Sequence, residues 1–410
     1  MKRERGTGMI LWVLWMTYGS FYFCRTNISA ALPGIEQEFG LSKADLGWVL
    51  ASLKIAYAAG QLINGQLAER YSARVLLAVG MFASAALNVL FGFGTAVYFW
   101  LFVWAMNGYA QALGWTPVMR VAANWIPAHQ RGTHIGILGT SYQVIAAVTF
   151  VVSGLAAEAL GWRAAMWLPA GLLALSGVHM LWLLRDKPSA AVNVDAAPQQ
   201  ARPHSLASNI VDVLSNPALW WLALALGLLN ATRYGFLDWG LTHIKEVQAT
   251  GVGMAALKYA VLPLGGIAGA LASGWISDRW LRGRRIPVVC AQLLLLAGVT
   301  LVYSHVVELG TLPVVVTLAF VGFLVFGAQV LLVGTLPIDL ARPGTAAASV
   351  GFVDCMGYVG ASIGDVMTGR LVVGHGWRAA VLCWAAYALL AALAAALLWN
   401  VGVRRGEQAR

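Results

Sequence analysis

Apolar residues run along this chain in blocks separated by short polar turns, and a block of about 20 is what a helix needs to cross a bilayer. Twelve blocks are legible, at 8–34, 45–68, 75–94, 97–123, 133–158, 163–184, 217–245, 252–276, 286–304, 311–337, 345–371 and 377–400, here called spans 1 to 12. The polar segment 185–216 divides them six and six; it carries Pro188, Pro198 and Pro203 in an Ala/Gln/Ser-rich stretch, the composition of a solvated linker. The pattern predicts an all-α membrane protein with an N-terminal six-helix bundle over 1–184, a linker over 185–216, a C-terminal six-helix bundle over 217–400 and a tail over 401–410.

The two halves repeat one another. Gly161-Trp162-Arg163-Ala164-Ala165 recurs as Gly376-Trp377-Arg378-Ala379-Ala380, 215 positions on (376 − 161). The run from Gly65 to Glu69-Arg70 is echoed by the run from Gly274 to Asp278-Arg279, 209 positions on (274 − 65). Gly132-Thr133 returns as Gly344-Thr345, and Arg25 has a counterpart in Arg233, 208 positions on (233 − 25). Landmarks in order at nearly one offset imply a duplicated half.

Composition agrees with a lipid solvent: 60% of residues are hydrophobic and 11% charged, with a mean hydropathy of +0.72. The net charge of +10 is a topology signal. Loops on the side of the termini hold seventeen Lys and Arg residues, whereas the opposite loops hold only Lys43, Arg163, Lys245 and Arg378. This imbalance places both termini in the cytoplasm, with a bacterial inner membrane as the expected location. The positive residues are spread over many short loops, which argues against nucleic-acid binding. Lys2-Arg3-Glu4-Arg5 followed by an apolar run also has the form of a secretory signal. That run continues through Ala31, however, and the repeat requires a first span to match the seventh.

Chemistry is sparse. Cys24, Cys290, Cys355 and Cys383 fall inside spans without metal or redox spacing, and no phosphate-cradling loop, metal set or nucleophile triad is present. No enzyme, metal or cofactor is expected, so any transport draws on a solute or ion gradient. Arg25 and Arg233 stand out because an intramembrane arginine costs about 2.5–3.5 kcal/mol on insertion scales and so faces a wet cavity or a partner. Each lies roughly 25 Å from the terminal-side end of its helix, near the midplane. Related by an axis along the membrane normal, they face each other across the halves. Two guanidinium forks at one depth repel unless an anion lies between them, and the fork suits phosphate or carboxylate oxygens. Structural ion pairing is the alternative.

The hairpins ending in Glu69-Arg70 and Asp278-Arg279 resemble the signature of the major facilitator superfamily, which implies that fold with a central cavity between the halves. Several segments are similar to its organophosphate:phosphate antiporters: Tyr22-Phe23-Cys24-Arg25-Thr26-Asn27, Gly114-Trp115-Thr116-Pro117, Arg233-Tyr234-Gly235-Phe236-Leu237-Asp238-Trp239 and Gly357-Tyr358-Val359-Gly360. The resemblance implies that Arg25 and Arg233 hold a phosphate group, with Tyr18, Tyr22 and Tyr358 at cavity positions. It also implies two departures. A cavity lysine of the family is replaced by Gln61, and a binding-site histidine by Tyr142. Two positive charges are therefore absent, which suggests a less charged anion such as a phosphonate, phosphodiester, sulfonate or carboxylate.

Lys54, two turns from Gln61, is a substitute cation for substrate or one arm of a salt bridge. Asp365 matches its depth, and the pair is expected to form an outer gate between spans 2 and 11. Asp238 offsets charge within span 7. Asp354, about 14 Å from the terminal-side end of span 11, has three readings: partner to an amine on a zwitterionic substrate, proton carrier, or counterion to a cation such as Lys54. Lys258 and Arg370 are read as snorkelling cations. Glu69, Arg70, Asp278 and Arg279 are expected to act as conformational latches, and the small residues Gly265, Gly266, Gly269, Gly357 and Gly360 to permit close approach where the bundles rock.

Three functions follow. The chain is a secondary transporter of a small organic anion, working as a monomer by exchange against phosphate or by proton coupling. Alternatively it is a transporter-like sensor of a phosphorylated metabolite, or a proton-coupled carrier of a zwitterion or carboxylate.

Overall fold

A computed structural model describes residues 2–126, 131–186, 211–281, 283–342 and 345–399. The described residues contain helices and no strand. Spans 2, 3, 5, 6 and 9 are single helices, Lys43–Arg70, Ala73–Phe91, Arg131–Leu160, Trp162–Leu183 and Ile286–Val306. Spans 11 and 12 form one run, Ala346–Ala396, interrupted at Gly376 with φ 77°. Most of the linker and the tail, at 187–210 and 400–410, lie outside the described residues.

Seven helical stretches are apolar and long enough to cross a membrane by those criteria alone, the interrupted run among them. Spans 1, 2, 4 and 7 are not among the seven, and the physical reason is informative. Span 2 carries Lys54 and span 7 carries Asn230, Arg233 and Asp238, whereas span 1 is broken into Lys2–Ser20, Phe21–Cys24 and Ile28–Phe39 and span 4 into Val97–Gln111 and Trp115–Trp125; span 7 runs as Pro217–Tyr234, a π turn Gly235–Trp239 and Gly240–Val247, and span 10 has a π turn as well, at Leu331–Thr335. Irregular backbone at membrane depth survives only where protein or a cavity satisfies it.

The repeat is visible in geometry. Gly161 and Gly376 both take positive φ, 89° and 77°, a region that glycine enters at no steric cost. The tryptophan after each donates its indole N–H to a carboxylate at 2.7 Å, Trp162 to Glu38 and Trp377 to Glu246. Those acceptors are 208 positions apart (246 − 38), the same spacing as Arg25 and Arg233.

The halves meet along two antiparallel seams. Spans 2 and 11 approach at Lys43 and Gly369, at Gly47 and Asp365, where a Cβ on either glycine would strike the partner backbone, and at the Tyr57 and Tyr358 rings, 4.5 Å apart. Spans 5 and 8 meet where the Glu158 carboxylate accepts from the Gly253 N–H at 2.6 Å, where Gly154 receives Ala256, and where Phe150 abuts Tyr259 at 5.1 Å. Seam glycines thus include Gly47, Gly154, Gly251, Gly253, Gly369 and Gly266, which faces Gln143 of the other half. Of the remaining glycines expected to serve the rocking surface, Gly265 and Gly269 receive the span 10 backbone, and Gly357 and Gly360 receive span 7, all within the C-terminal half. Both seams are tightest at the face opposite the termini. There Lys43 bridges Glu36 at 2.6 Å and Glu246 of the other half at 2.8 Å.

Candidate functional site

The breaks in spans 1 and 7 create the site. Phe21–Cys24 is a single 3-10 turn, after which the chain leaves helical geometry at Arg25 (φ −121°). Thr26, Asn27 and Ser29 follow, short polar side chains that compete with the helical ladder. The carbonyls released there are taken by span 4. Asn107 donates to the Cys24 carbonyl at 2.8 Å and Gln111 to the Phe21 carbonyl at 2.9 Å. Ser84 fixes that pair by donating to Asn107 at 2.6 Å and accepting from Gln111 at 2.8 Å. In span 7 the break is a π-helical turn, Gly235–Trp239, starting two residues after Arg233. Such bulges gather at functional positions. Gly235 admits the Trp384 indole and Gly240 the Tyr259 ring, at distances no Cβ would tolerate. The Tyr259 hydroxyl donates to the Phe236 carbonyl, and Ser29 of the other half donates to the Leu237 carbonyl at 3.0 Å.

Arg25 and Arg233 are 6% and 3% exposed and line one small cavity. Neither forms an ion pair with a described carboxylate, so structural pairing does not account for them. Aromatic faces surround them. The Arg25 guanidinium carbon lies 4.2 Å from the Tyr57 ring centre and 5.2 Å from that of Tyr22, and Nη2 donates to the Tyr358 hydroxyl at 2.8 Å. Arg233 lies over Tyr234 at 4.8 Å and Phe326 at 5.0 Å, and its Nε–H has no acceptor among the described residues. An aromatic face attracts a guanidinium by up to about 2 kcal/mol when desolvated, yet it accepts no in-plane hydrogen bond. The two forks are held in place with their donors largely unspent.

Tyr22, Tyr142 and Tyr18 continue the aromatic wall, with ring centres 5.0 Å apart for Tyr22 and Tyr142 and 6.3 Å apart for Tyr18 and Tyr142. Gln61 donates to the Tyr57 hydroxyl at 2.6 Å and so stands behind the cage. Tyr57, Tyr234 and Phe326 were not singled out as site residues from sequence. Tyr234 lay in the segment around Arg233 that resembles the family and Tyr57 one turn from Gln61, but neither was given a role, and Phe326 carried no signal.

Lys54 corrects one expectation. At 2% exposure its ammonium contacts Asp238 at 2.5 Å and also Asp365, and lies 4.5 Å from the Tyr234 ring centre. It is saturated by two carboxylates and is not a free cation for substrate. Asp238 is corrected too: rather than balancing charge within span 7, the π turn directs it across the halves to span 2. Asp365 is wholly buried and contacts Lys54, with Asp238 beside it. Asp354 is therefore not the counterion of Lys54. It is half-buried and makes no hydrogen bond among the described residues.

Among the described residues, Arg70, Asp278 and Arg279 of the terminal-side latches form no ion pair. Arg70, Asp278 and Arg279 are exposed and the Glu69 side chain lies outside the described residues. Each half instead closes its own terminal-side loops, as where Asp186 accepts from Ser72 at 2.6 Å and Arg342 bridges Asp212 at 2.9 Å. Lys258 is buried and donates to Gln248 at 2.6 Å, so it does not snorkel, whereas Arg370 is exposed with its guanidinium 5.7 Å from the Trp48 ring centre.

Comparison with known proteins places this architecture. Residues 14–365 match the family described as Major Facilitator Superfamily. The membrane sensor protein UhpC of Escherichia coli is 30% identical over 369 residues, covering 86% of this chain and 83% of its own. The glycerol-3-phosphate transporter of Bacillus subtilis is 29% identical over 416 residues, covering 95% and 92%. A probable hexose phosphate transport protein of Chlamydia trachomatis is 27% identical, covering 95% and 90%. Among solved structures, a bacterial homolog of the human lysosomal transporter Spinster, inward-facing and unoccupied, shares the fold with a TM-score of 0.75 at 16% identity, over 97% of this chain and 98% of that one. The apolar helices, the family match and these relatives agree: the chain is a multi-pass membrane protein of the major facilitator superfamily.

Proposed function

We propose that this protein is a secondary transporter that moves a small organic anion by alternating access, with Arg25 and Arg233 as the anion clamp. The observation that carries the reading is the pair of buried arginines, one from each half, positioned by helix breaks and aromatic faces and left without carboxylate partners. Relatives named as carriers of glycerol 3-phosphate and hexose phosphate point to an organophosphate or a similar anion. An anion bound by both forks offsets their repulsion and draws the halves together at the midplane.

In this reading the state described is closed on the face opposite the termini. Lys54 with Asp238 and Asp365, and Lys43 with Glu246, form the outer gate, and Glu69, Arg70, Asp278 and Arg279 form the inner latches that engage when the bundles rock. The excess of positive residues beside the termini puts that side in the cytoplasm, of a bacterial inner membrane. Coupling is to phosphate exchange or to a proton.

Counterflow in proteoliposomes tests this. Vesicles loaded with unlabelled glycerol 3-phosphate or a phosphonate accumulate the labelled compound with the native chain and not with Arg25→Ala or Arg233→Ala. Likeness to the sensor UhpC favours one second reading, a receptor of the same fold. Binding of the same anions with no flux would select it.

A further inference from the structure

Asp354 is a carboxylate beside two arginines that binds neither of them. Spans 2 and 11 run antiparallel, and their contacts descend from the closed face in register: Lys43 with Gly369, Gly47 with Asp365, the Ala51 carbonyl with the Ser362 hydroxyl at 3.5 Å, and Tyr57 with Tyr358. Continued by one helical turn on each span, that register sets Gln61 and Asp354 at the next level toward the open side. Gln61 turns back to Tyr57, and Asp354 is left half-buried without a hydrogen bond. It lies within electrostatic reach of Arg25, Arg233 and Tyr57, yet Arg25 spends Nη2 on Tyr358 and the Arg233 Nε–H stays unpaired. An unpaired carboxylate at membrane depth is costly and marks a place for a cation.

Charge accounting points the same way. Arg25, Arg233 and Lys54 stand against Asp238, Asp354 and Asp365, so the six groups cancel when all are ionised. A doubly charged phosphate ester would leave this set of groups at −2. A compound that carries its own ammonium leaves −1 and places that positive charge beside Asp354.

Resting on the anion-clamp reading, we infer that the substrate is an aminoalkyl phosphate or phosphonate, its phosphoryl group held by Arg25 and Arg233 and its ammonium by Asp354. Four residues of helix separate Asp354 from Tyr358, about 6 Å along the axis. A spacer of two or three carbons between phosphorus and nitrogen reaches about that far. The ammonium end points toward the open side, and the phosphoryl end lies deeper, where the aromatic cage excludes water.

The test measures binding to the purified full chain by calorimetry and thermal shift. The probes are 2-aminoethylphosphonate and phosphoethanolamine, each beside its amine-free analogue, propylphosphonate or propyl phosphate. The native protein is expected to favour the amine-bearing member by about tenfold or more, the scale of one charge-assisted contact. Asp354→Asn is expected to lose that preference and to bind propylphosphonate more tightly, because a negative charge beside the phosphoryl group is gone. A merely structural role would instead weaken all four compounds together. Should Asp354→Asn fail to fold, Asp354→Glu and the preference of the native chain still decide. Equal affinity for both members in the native protein, or parallel losses in the variant, overturns the inference while leaving the clamp intact. Binding of none of the four overturns both.

Discussion

Two adjacent layers of the interface use buried cations in opposite ways. In the layer nearer the closed face, Lys54 contacts two carboxylates, Asp238 and Asp365, drawn from spans 7 and 11. About one turn deeper, Arg25 and Arg233 contact tyrosines and a phenylalanine and no carboxylate. The first layer holds its cation between carboxylates of the other half; the second sets two guanidinium groups near one carboxylate, Asp354, that binds neither of them. A further asymmetry lies within the second layer. Arg25 already reaches Tyr358 of the other half, whereas Arg233 keeps an unspent Nε–H among the described residues.

The largest effect should come from breaking the complete layer. Lys54→Met leaves Asp238 and Asp365 buried without their cation, at a cost of about 3–5 kcal/mol, read as a fall in melting temperature of the detergent-purified protein. Adding Asp238→Asn and Asp365→Asn should recover most of that loss, and a triple variant no more stable than the single would refute the ion-pair account.

Arg25→Ala or Arg233→Ala should cost about 2–5 kcal/mol of anion binding, since the anion keeps only one fork. Folding stability without ligand should move far less, because neither arginine pairs with a carboxylate. Lysine at either position should restore little, as an ammonium lacks the planar fork.

Tyr358→Phe removes only the hydroxyl that accepts from Arg25. A hydrogen bond to a charged group contributes about 1.5–3 kcal/mol, so the change should show as a weaker preference for the closed state in distance measurements between spin labels on the two halves. Equal populations in native and variant protein would remove Arg25 from the closing mechanism.

The smallest effect is at the outer rim of the N-terminal half. Hydrogen bonds from Arg163 and Trp162 hold the Glu38 carboxyl down at about 2. A depressed carboxylate stabilises above its unfolded pKa of about 4.3, and the contribution fades as pH falls toward the folded value. Glu38→Gln should therefore lower the melting temperature slightly and by the same amount at pH 8 and pH 6. The difference should shrink below about pH 4, in thermal scans of both proteins.

Much of this was legible in the chain. A duplicated arginine in an apolar setting is a strong signal, because lipid penalises it and repetition places both copies at one depth. Lys54 and Asp365 could be matched by depth along straight helices. Asp238 could not, because a π turn inserts backbone and rotates every later side chain, and nothing in Gly235-Phe236-Leu237-Asp238-Trp239 distinguishes that turn from a regular helix. The aromatic cage was only half visible for a related reason. Tyrosines are common in spans; the resemblance pointed to Tyr18, Tyr22, Tyr142 and Tyr358, and the fold adds Tyr57, Tyr234 and Phe326 around the two guanidinium groups.

The central claim is that Arg25 and Arg233 hold one anion between them. The most direct measurement is a double-mutant cycle on the thermal stabilisation by glycerol 3-phosphate, using native protein, Arg25→Ala, Arg233→Ala and the double variant. A shared anion predicts that either single change removes nearly all of the stabilisation and that the double variant is no worse. Stabilisation that persists in the double variant, or falls by independent additive steps, would contradict the clamp.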